Sequence, residues 1–172
     1  MYYDTITQNV KSKNVASNKE RVIPDNVTVN EKVHQQALAI VGNSTGLAAA
    51  KKIAAWCGKK SNLRYDKYWN FDRQPSTVQK KGAANCCDST RYMLNLMAAA
   101  GCMETLTLQY VHVINPGTNE GHVFAKITTK STGNWRYVDP VLKYRSPWGH
   151  WYKGCGTTIA QISTYPNLPC CG

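Results

Sequence analysis

The stretch Asn85-Cys86-Cys87-Asp88-Ser89-Thr90 begins an apolar run whose spacing predicts an α-helix that ends at Gly101. A cysteine in the first turn of a helix is well placed to act as a nucleophile, because the helix N-terminus lowers the pKa of a thiol and stabilises the thiolate. The stretch therefore predicts both the central helix of the fold and the position of a reactive cysteine.

Three strand-like runs follow this helix. Residues 105–114 and 122–128 alternate apolar and polar side chains, and residues 135–138 form a shorter run. Turn-forming residues separate the runs, so neighbouring runs are expected to pair antiparallel. Helices followed by an antiparallel sheet predict an α+β fold with the nucleophile helix packed on the sheet. The tail, residues 144–172, shows no readable pattern.

Two further residues suit a catalytic role with this cysteine. His122 begins the second run and Asp139 directly follows the third, so an antiparallel pair joined by a short turn places them side by side. Acyl transfer by a thiol needs a nucleophile, an imidazole base and a group that orients the base. Each residue alone is more often structural. Together, in this order, they predict a Cys-His-Asp triad.

The cysteine content argues for free thiols. Seven cysteines leave at least one unpaired within a single chain. Cys86-Cys87 and Cys170-Cys171 are adjacent pairs, and neighbouring Cα atoms lie about 3.8 Å apart, below the usual disulfide range. Free thiols favour a reducing environment for the working protein. No C-x2-C pair has a matching second half, so we expect no metal site.

The charge balance points to an anionic partner. A formal net charge of +11, from 21 basic and 10 acidic residues, attracts polyanions in general. The basic residues are scattered and no nucleic-acid-binding motif is present, which favours an anionic cell-wall polymer over nucleic acid as the partner, but charge alone does not decide between them. No apolar run reaches the roughly 18 residues of a membrane span, and the N-terminus lacks the features of a secretory signal.

The chain is expected to contain one catalytic domain. Residues 1–30 are polar, and we interpret them as a linker or a loosely docked arm ahead of a catalytic domain at 31–172. Helical spacing predicts one helix that ends at Gly42 and a second that ends near Gly58. Residues 61–80 are rich in aromatic side chains and show little periodicity, so we predict an aromatic loop there.

Four segments together resemble the core of the transglutaminase-like cysteine peptidases. They are Asn85-Cys86-Cys87-Asp88, Ala99-Ala100-Gly101, Gly121-His122 and the segment from Trp135 to Pro140. Within that group, the Asn-Cys-Cys-Asp-Ser stretch with the upstream aromatic residues looks like the pseudomurein endoisopeptidases of methanogen viruses. The resemblance covers roughly residues 45–142.

This resemblance implies a papain-like α+β fold and cleavage of the ε-isopeptide bond between Ala and Lys in pseudomurein, the archaeal cell-wall polymer. It implies a viral lytic enzyme that is made in the host cytoplasm and acts on the wall. We expect a monomer that requires no cofactor for its chemistry. Some relatives are thought to respond to calcium, so stimulation by Ca²⁺ is compatible with this expectation.

The family pattern also helps to choose between the adjacent cysteines. It contains Cys-x-Asp at the start of the helix, and Cys86 fits that register, while Cys87 stays the alternative. The oxyanion is expected to bind the backbone N–H of Cys86 and a second donor from the upstream loop. Tyr65, Tyr68 and Asn85 are the candidates for that second donor.

Two other functions are compatible with the sequence. A transglutaminase-type acyltransferase would use the same acyl-enzyme but pass it to an amine, and an assay of acyl transfer against hydrolysis separates the two. A non-catalytic wall-binding module could keep the fold without the chemistry, and reactivity of the thiol toward iodoacetamide separates that alternative.

Overall fold

The structure is a computed structural model. It describes residues 21–69, 72–141, 148 and 158–167, together with the backbone of residues 12, 13 and 20. The helices are α1 (Glu31–Val41), α2 (Gly46–Cys57), α3 (Pro75–Lys81) and α4 (Cys86–Ala99), with a 3-10 turn at Cys102–Glu104. The strands are β1 (Ser12–Lys13), β2 (Glu20–Arg21), β3 (Arg64–Tyr65), β4 (Ala83–Ala84), β5 (Leu106–Ile114), β6 (Gly121–Thr129), β7 (Trp135–Val138) and β8 (Thr158–Thr164).

The main sheet has four strands in the order β7-β6-β5-β8, and every neighbouring pair is antiparallel. The helix α4 packs on its inner face, against β5 and β6, while α1, α2 and α3 cover the other side of α4. The predicted α+β class, with the nucleophile helix packed on an antiparallel sheet, is therefore confirmed. The runs predicted as β5, β6 and β7 form strands with bounds within one residue of those expected.

The helix α4 is buried on nearly all sides. Its sequence predicts an amphipathic helix, but apolar side chains such as Met93, Leu94 and Met97 and polar ones such as Ser89 and Thr90 are all inaccessible to solvent. The reason is its central position, since helices cover the face that a surface helix would expose. It forms the middle of the core around which the other elements are arranged.

The packed part of the chain begins before the expected boundary at residue 30. Arg21 is only 2% exposed, and Val27 belongs to the main core. The Arg21 guanidinium donates hydrogen bonds to the carbonyl oxygens of Ser44 at 2.6 Å, Gly42 at 2.7 Å and Ala100 at 3.3 Å. It thus binds the C-terminal ends of α1 and α4, where a positive charge is favourable.

The segment 61–80 is not only a loop, so that prediction is wrong in part. It contains the short strand β3, and residues 75–81 form α3. Pro75 lies in the first turn of α3, and Gly82 ends it with a left-handed backbone at φ 60°. Pro75 and Gly82 are the sequence features that could have predicted the start and the end of α3. The helix has seven residues, and Val78 is its buried side chain, which leaves little periodicity to detect.

The tail also contains regular structure that the sequence pattern does not reveal. The strand β8 pairs antiparallel with β5 at the edge of the sheet. Its side chains are mostly exposed. An edge strand of this kind is joined to the sheet by backbone hydrogen bonds, which any sequence can form, so alternation of apolar residues is weak.

We expect Arg21→Ala to lower the free energy of unfolding by about 2–4 kcal/mol, because one buried and two partly buried carbonyl oxygens lose a charged donor. Urea unfolding monitored by circular dichroism measures the change. The control is Arg64→Ala, an exposed arginine, which should change stability by less than about 0.5 kcal/mol. Equal effects of the two substitutions would contradict the role of Arg21.

Candidate active site

Asn85 caps α4 and fixes the position of Cys86. Its Oδ1 accepts a hydrogen bond from the backbone N–H of Asp88 at 2.9 Å, and its Nδ2 donates to the carbonyl oxygen of Tyr68 at 3.2 Å. Asn85 is almost fully buried, so the direction in which α4 begins is set by the interior. Cys86 is the first residue of α4, where backbone N–H groups and the helix dipole favour negative charge.

The sheet brings His122 and Asp139 together. The last residue pair between β6 and β7 is Ala125 with Val138. The beginning of β6 therefore lies beside the residue that follows β7. His122 Nε2 and Asp139 Oδ2 lie 2.6 Å apart. Asp139 has no exposed surface, and its Oδ1 accepts a hydrogen bond from the N–H of Val141 at 3.0 Å. The carboxylate is therefore held in place by its own hydrogen bond and can orient the imidazole ring.

Cys86 forms a side-chain hydrogen bond with His122. Because Nε2 of the ring already faces Asp139, the nitrogen toward Cys86 is Nδ1. The three residues therefore form one continuous line from thiol to imidazole to carboxylate. Their proximity agrees with the sequence analysis, and their catalytic role stays a prediction.

The backbone of Val123 attaches the first turn of α4 to the sheet. Its N–H donates a hydrogen bond to the sulfur of Cys86, and its carbonyl oxygen accepts one from the hydroxyl of Thr90 at 3.2 Å. Pairing between β6 and β7 extends only as far as Ala125, so these backbone groups lie beyond the end of β7 and are used by α4. The short β7 thus leaves room for the nucleophile.

The hydrogen bonds of the site favour a thiolate and an imidazolium. A hydrogen bond with Cys87, together with the hydrogen bond and positive charge of His122, outweighs burial and holds the pKa of Cys86 well below its usual range. Burial alone would lower the pKa of His122, but the hydrogen bonds and negative charges of Asp139 and Cys86 hold it well above its usual range. Both shifts therefore favour the thiolate–imidazolium ion pair.

The other described cysteines have different environments. Cys87 is half-buried next to Cys86, while Cys57 and Cys102 are fully buried. Burial raises the pKa of Cys57 well above its usual range and that of Cys102 to about 12. These two thiols are therefore unreactive at neutral pH. The four cysteines are free thiols, and the remaining cysteines lie outside the described residues.

Asp88 anchors the loop that precedes α3. Its Oδ2 accepts hydrogen bonds from the Tyr68 hydroxyl at 2.7 Å and from the backbone N–H groups of Asp72 at 3.1 Å and Arg73 at 2.8 Å. The guanidinium of Arg73 also packs over the Tyr68 ring, 4.2 Å from its centre. The sequence analysis named Asp88 only as part of a motif. Its hydrogen-bond partners are distant in the chain, so no local pattern indicates them.

Tyr68 and Asn85, which are among the proposed oxyanion donors, form structural hydrogen bonds. The Tyr68 hydroxyl donates to Asp88, and burial and this bond hold its pKa well above the usual range. The side-chain amide of Asn85 donates to Tyr68 and accepts from Asp88. Tyr65 is 51% exposed. The assignment of the second oxyanion donor stays a prediction.

Two negative observations concern other kinds of site. Within the described residues, no three His, Cys, Asp or Glu side chains converge in a way that could hold a metal ion. In the same residues, no helix combines the length and the apolar character that crossing a membrane requires.

A cysteine at the N-terminus of a central helix, beside a histidine and an aspartate on an antiparallel sheet, is the arrangement found in cysteine-protease folds. No family model and no curated protein sequence matches the chain significantly. A solved protein of Cytophaga hutchinsonii, provisionally described as a cysteine protease, is similar over 78% of this chain with a TM-score of 0.50 and 14% identity. This identity shows a common fold alone. The chain matches 50% of that protein's length.

Two further solved structures are less similar. Calcium-bound LapG of Legionella pneumophila has a TM-score of 0.41 and 12% identity, covering 68% of this chain and 67% of LapG. A structure described as a TGase has a TM-score of 0.41 and 14% identity, covering 78% of this chain and 40% of its own.

We expect Cys86 to react with iodoacetamide at nearly the same rate at pH 5.5 and pH 8, because its lowered pKa keeps it a thiolate over this range. An ordinary thiol with a pKa of about 8.5 would react more slowly by roughly 200-fold at the lower pH. Peptide mapping by mass spectrometry identifies the modified cysteine. In His122→Ala, the rate at pH 5.5 should fall. Preferential modification of Cys87, or a steep pH dependence at Cys86, would contradict the ion pair.

Proposed function

We propose that the chain is a cysteine endoisopeptidase that hydrolyses the ε-isopeptide bond between Ala and Lys in pseudomurein wall peptides. The observation that supports the chemistry is the buried, hydrogen-bonded line from Cys86 through His122 to Asp139. The observation that supports the substrate is the sequence resemblance around Asn85-Cys86-Cys87-Asp88. The net charge of +11 suits a negatively charged wall.

The first half of the reaction forms an acyl-enzyme. The Cys86 thiolate attacks the carbonyl carbon of Ala, and the backbone N–H of Cys86 donates a hydrogen bond to the developing oxyanion. His122 then gives its proton to the departing ε-amine of the substrate lysine, which leaves as the first product. Asp139 keeps the ring oriented through Nε2 and stabilises its positive charge.

The second half releases the acyl group. Neutral His122 takes a proton from a water molecule, which attacks the thioester carbonyl carbon and displaces the Cys86 thiolate. The carboxylic acid formed loses its proton to solvent and leaves as a carboxylate, and the ion pair between Cys86 and the protonated His122 is restored. No step requires a metal ion. Any stimulation of the enzyme by Ca²⁺ comes from an effect on the fold or on the anionic wall. In the cell, the enzyme is a viral lytic protein made in the host cytoplasm.

Incubation of the reduced protein with pseudomurein-bearing walls should release free lysine ε-amines, measured by amine labelling and identification of the labelled lysine. Cys86→Ala should reduce the rate by at least roughly 10³-fold, because it removes the nucleophile. Cys87→Ala is the matched control and should retain much of the activity.

Three outcomes would count against this proposal. An active Cys86→Ala with an inactive Cys87→Ala would reverse the choice of nucleophile. Equal release from bacterial peptidoglycan would contradict the substrate. Complete loss in EDTA with reductant present, restored by zinc alone, would contradict the thiol mechanism.

The roles of base and orienting group predict different losses. His122→Ala should lower kcat/KM by about 10²–10⁴-fold, because the proton transfer is lost. Asp139→Asn should leave a small residual activity, because the imidazole is still present but less well oriented. His112→Ala, on the neighbouring strand, serves as the control and should stay within about tenfold of the wild type. A His112→Ala loss as large as that of His122→Ala would contradict the triad.

A further inference from the structure

The segment 64–69 lies along the backbone that leads into the nucleophile. The parallel pair of β3 with β4 holds its beginning beside the residues just before α4. Its end is held by Asn85, whose side-chain amide donates to the carbonyl oxygen of Tyr68 at 3.2 Å. Because Asn85 directly precedes Cys86, the residue after Tyr68, which is Trp69, lies at the edge of the cysteine site.

This segment exposes aromatic side chains on a backbone that is held in place. Trp69 is 84% exposed and Tyr65 is 51% exposed. Trp is highly buried on average, so an indole this accessible is an informative exception. A ligand that covers such rings buries a large apolar area and orders only two side-chain torsions per ring. Trp and Tyr are enriched among the residues that dominate binding energy.

The surroundings of the segment carry positive charge without a counter-charge. Pairing of β3 with β4 brings the turn after α2 next to the turn after α3. The exposed cations on these turns and on the segment are Lys59, Lys60, Arg64, Lys67, Lys80 and Lys81. Among the described residues, no carboxylate forms an ion pair with any of them. Asp66, within the segment, is paired with Arg73 at 2.6 Å. Such a surface attracts a polyanion.

We propose that the segment 64–69 binds an acidic polysaccharide chain beside the cysteine. Sugar rings pack their flat C–H faces on Trp69 and Tyr65, and their carboxylates bind the surrounding cations. The assignment of this chain to the wall polymer rests on the proposed function.

The spacing and the kind of side chain favour this ligand. Four residues of backbone separate Tyr65 from Trp69, or up to about 14 Å, so a chain covers both rings and a single small molecule does not. Exposed flat rings suit sugar faces, whereas the side chains of an extended peptide are usually recognised in pockets. Nucleic acid suits the site less well, because a phosphodiester offers the Cys86 thiolate no acyl carbon.

Binding can be measured without catalysis in the Cys86→Ala protein. The probes are polygalacturonate, an acidic polysaccharide, and poly-L-glutamate, which carries carboxylates but no sugar rings. Isothermal titration calorimetry at low salt should show polygalacturonate binding about tenfold more tightly per carboxylate, because only its rings stack on the aromatic side chains. Adding Trp69→Ala should remove this preference, and Trp69→Phe, which keeps a ring, should retain most of it.

Trp135→Ala is the matched control for the indole. Trp135 is also exposed, at 43%, but it pairs with Thr128, at the end of β6 that is distant from His122. Its removal should leave the preference unchanged.

The charges are tested by a second pair of variants. Arg64→Gln combined with Lys67→Gln should weaken polygalacturonate binding by roughly tenfold at low salt and reduce its dependence on salt, because two cations beside the chain are lost. Lys130→Gln combined with Arg136→Gln removes the same charge from exposed positions at the distant end of β6 and on β7, and should change binding by less than about twofold.

Equal affinity for the two polymers, or binding of neither, would overturn the proposal. A preference that survives Trp69→Ala, or an equal loss in Trp135→Ala, would also overturn it. A single-stranded oligodeoxynucleotide that binds more tightly than polygalacturonate would overturn it in favour of nucleic acid. The protein is inactive and neither polymer contains the isopeptide bond between Ala and Lys. Absence of binding therefore leaves the hydrolysis of the wall unaffected, and absence of hydrolysis leaves the binding result valid.

Discussion

The first turn of α4 is buried, and its polar groups must find partners inside the protein. Asn85 and Asp88 both form hydrogen bonds with the loop before α3. Thr90 forms a hydrogen bond with the backbone of β6. A buried polar group without a partner costs about 1–3 kcal/mol. Loop, helix and strand are therefore fixed relative to one another by one turn of helix, and Cys86 lies within it.

A buried thiol keeps a low pKa only where charged or hydrogen-bonding groups lie beside it. Cys57 and Cys102 are buried among apolar groups, and burial raises the pKa of both. Cys86 is also largely buried, but a neighbouring thiol, an imidazole and a backbone N–H hold its pKa low. In a medium of low dielectric constant, these partners act more strongly than they would in water. The low pKa at this position comes from the groups around the cysteine and not from exposure to solvent.

How far the sequence predicts the structure depends on how local each signal is. The helix that begins at Cys86 and the strands β5, β6 and β7 were predicted because burial imposes a period on neighbouring residues. The helix α3 is too short to show a period. The strand β8 is joined through its backbone and exposes most of its side chains, so its sequence carries little pattern. The segment that begins at Arg21 is polar in composition, but in the structure it packs against the core.

The sequence by itself determined the order of Cys, His and Asp, the elements that hold them and the α+β class. Periodicity, caps and turns come from residues close in the chain, and these can be recognised without a structure. Only the tertiary structure decided that Asp88 accepts a hydrogen bond from Tyr68 and that Arg21 binds the ends of two helices. Those contacts join residues far apart in the chain, and packing alone determines which distant polar groups meet.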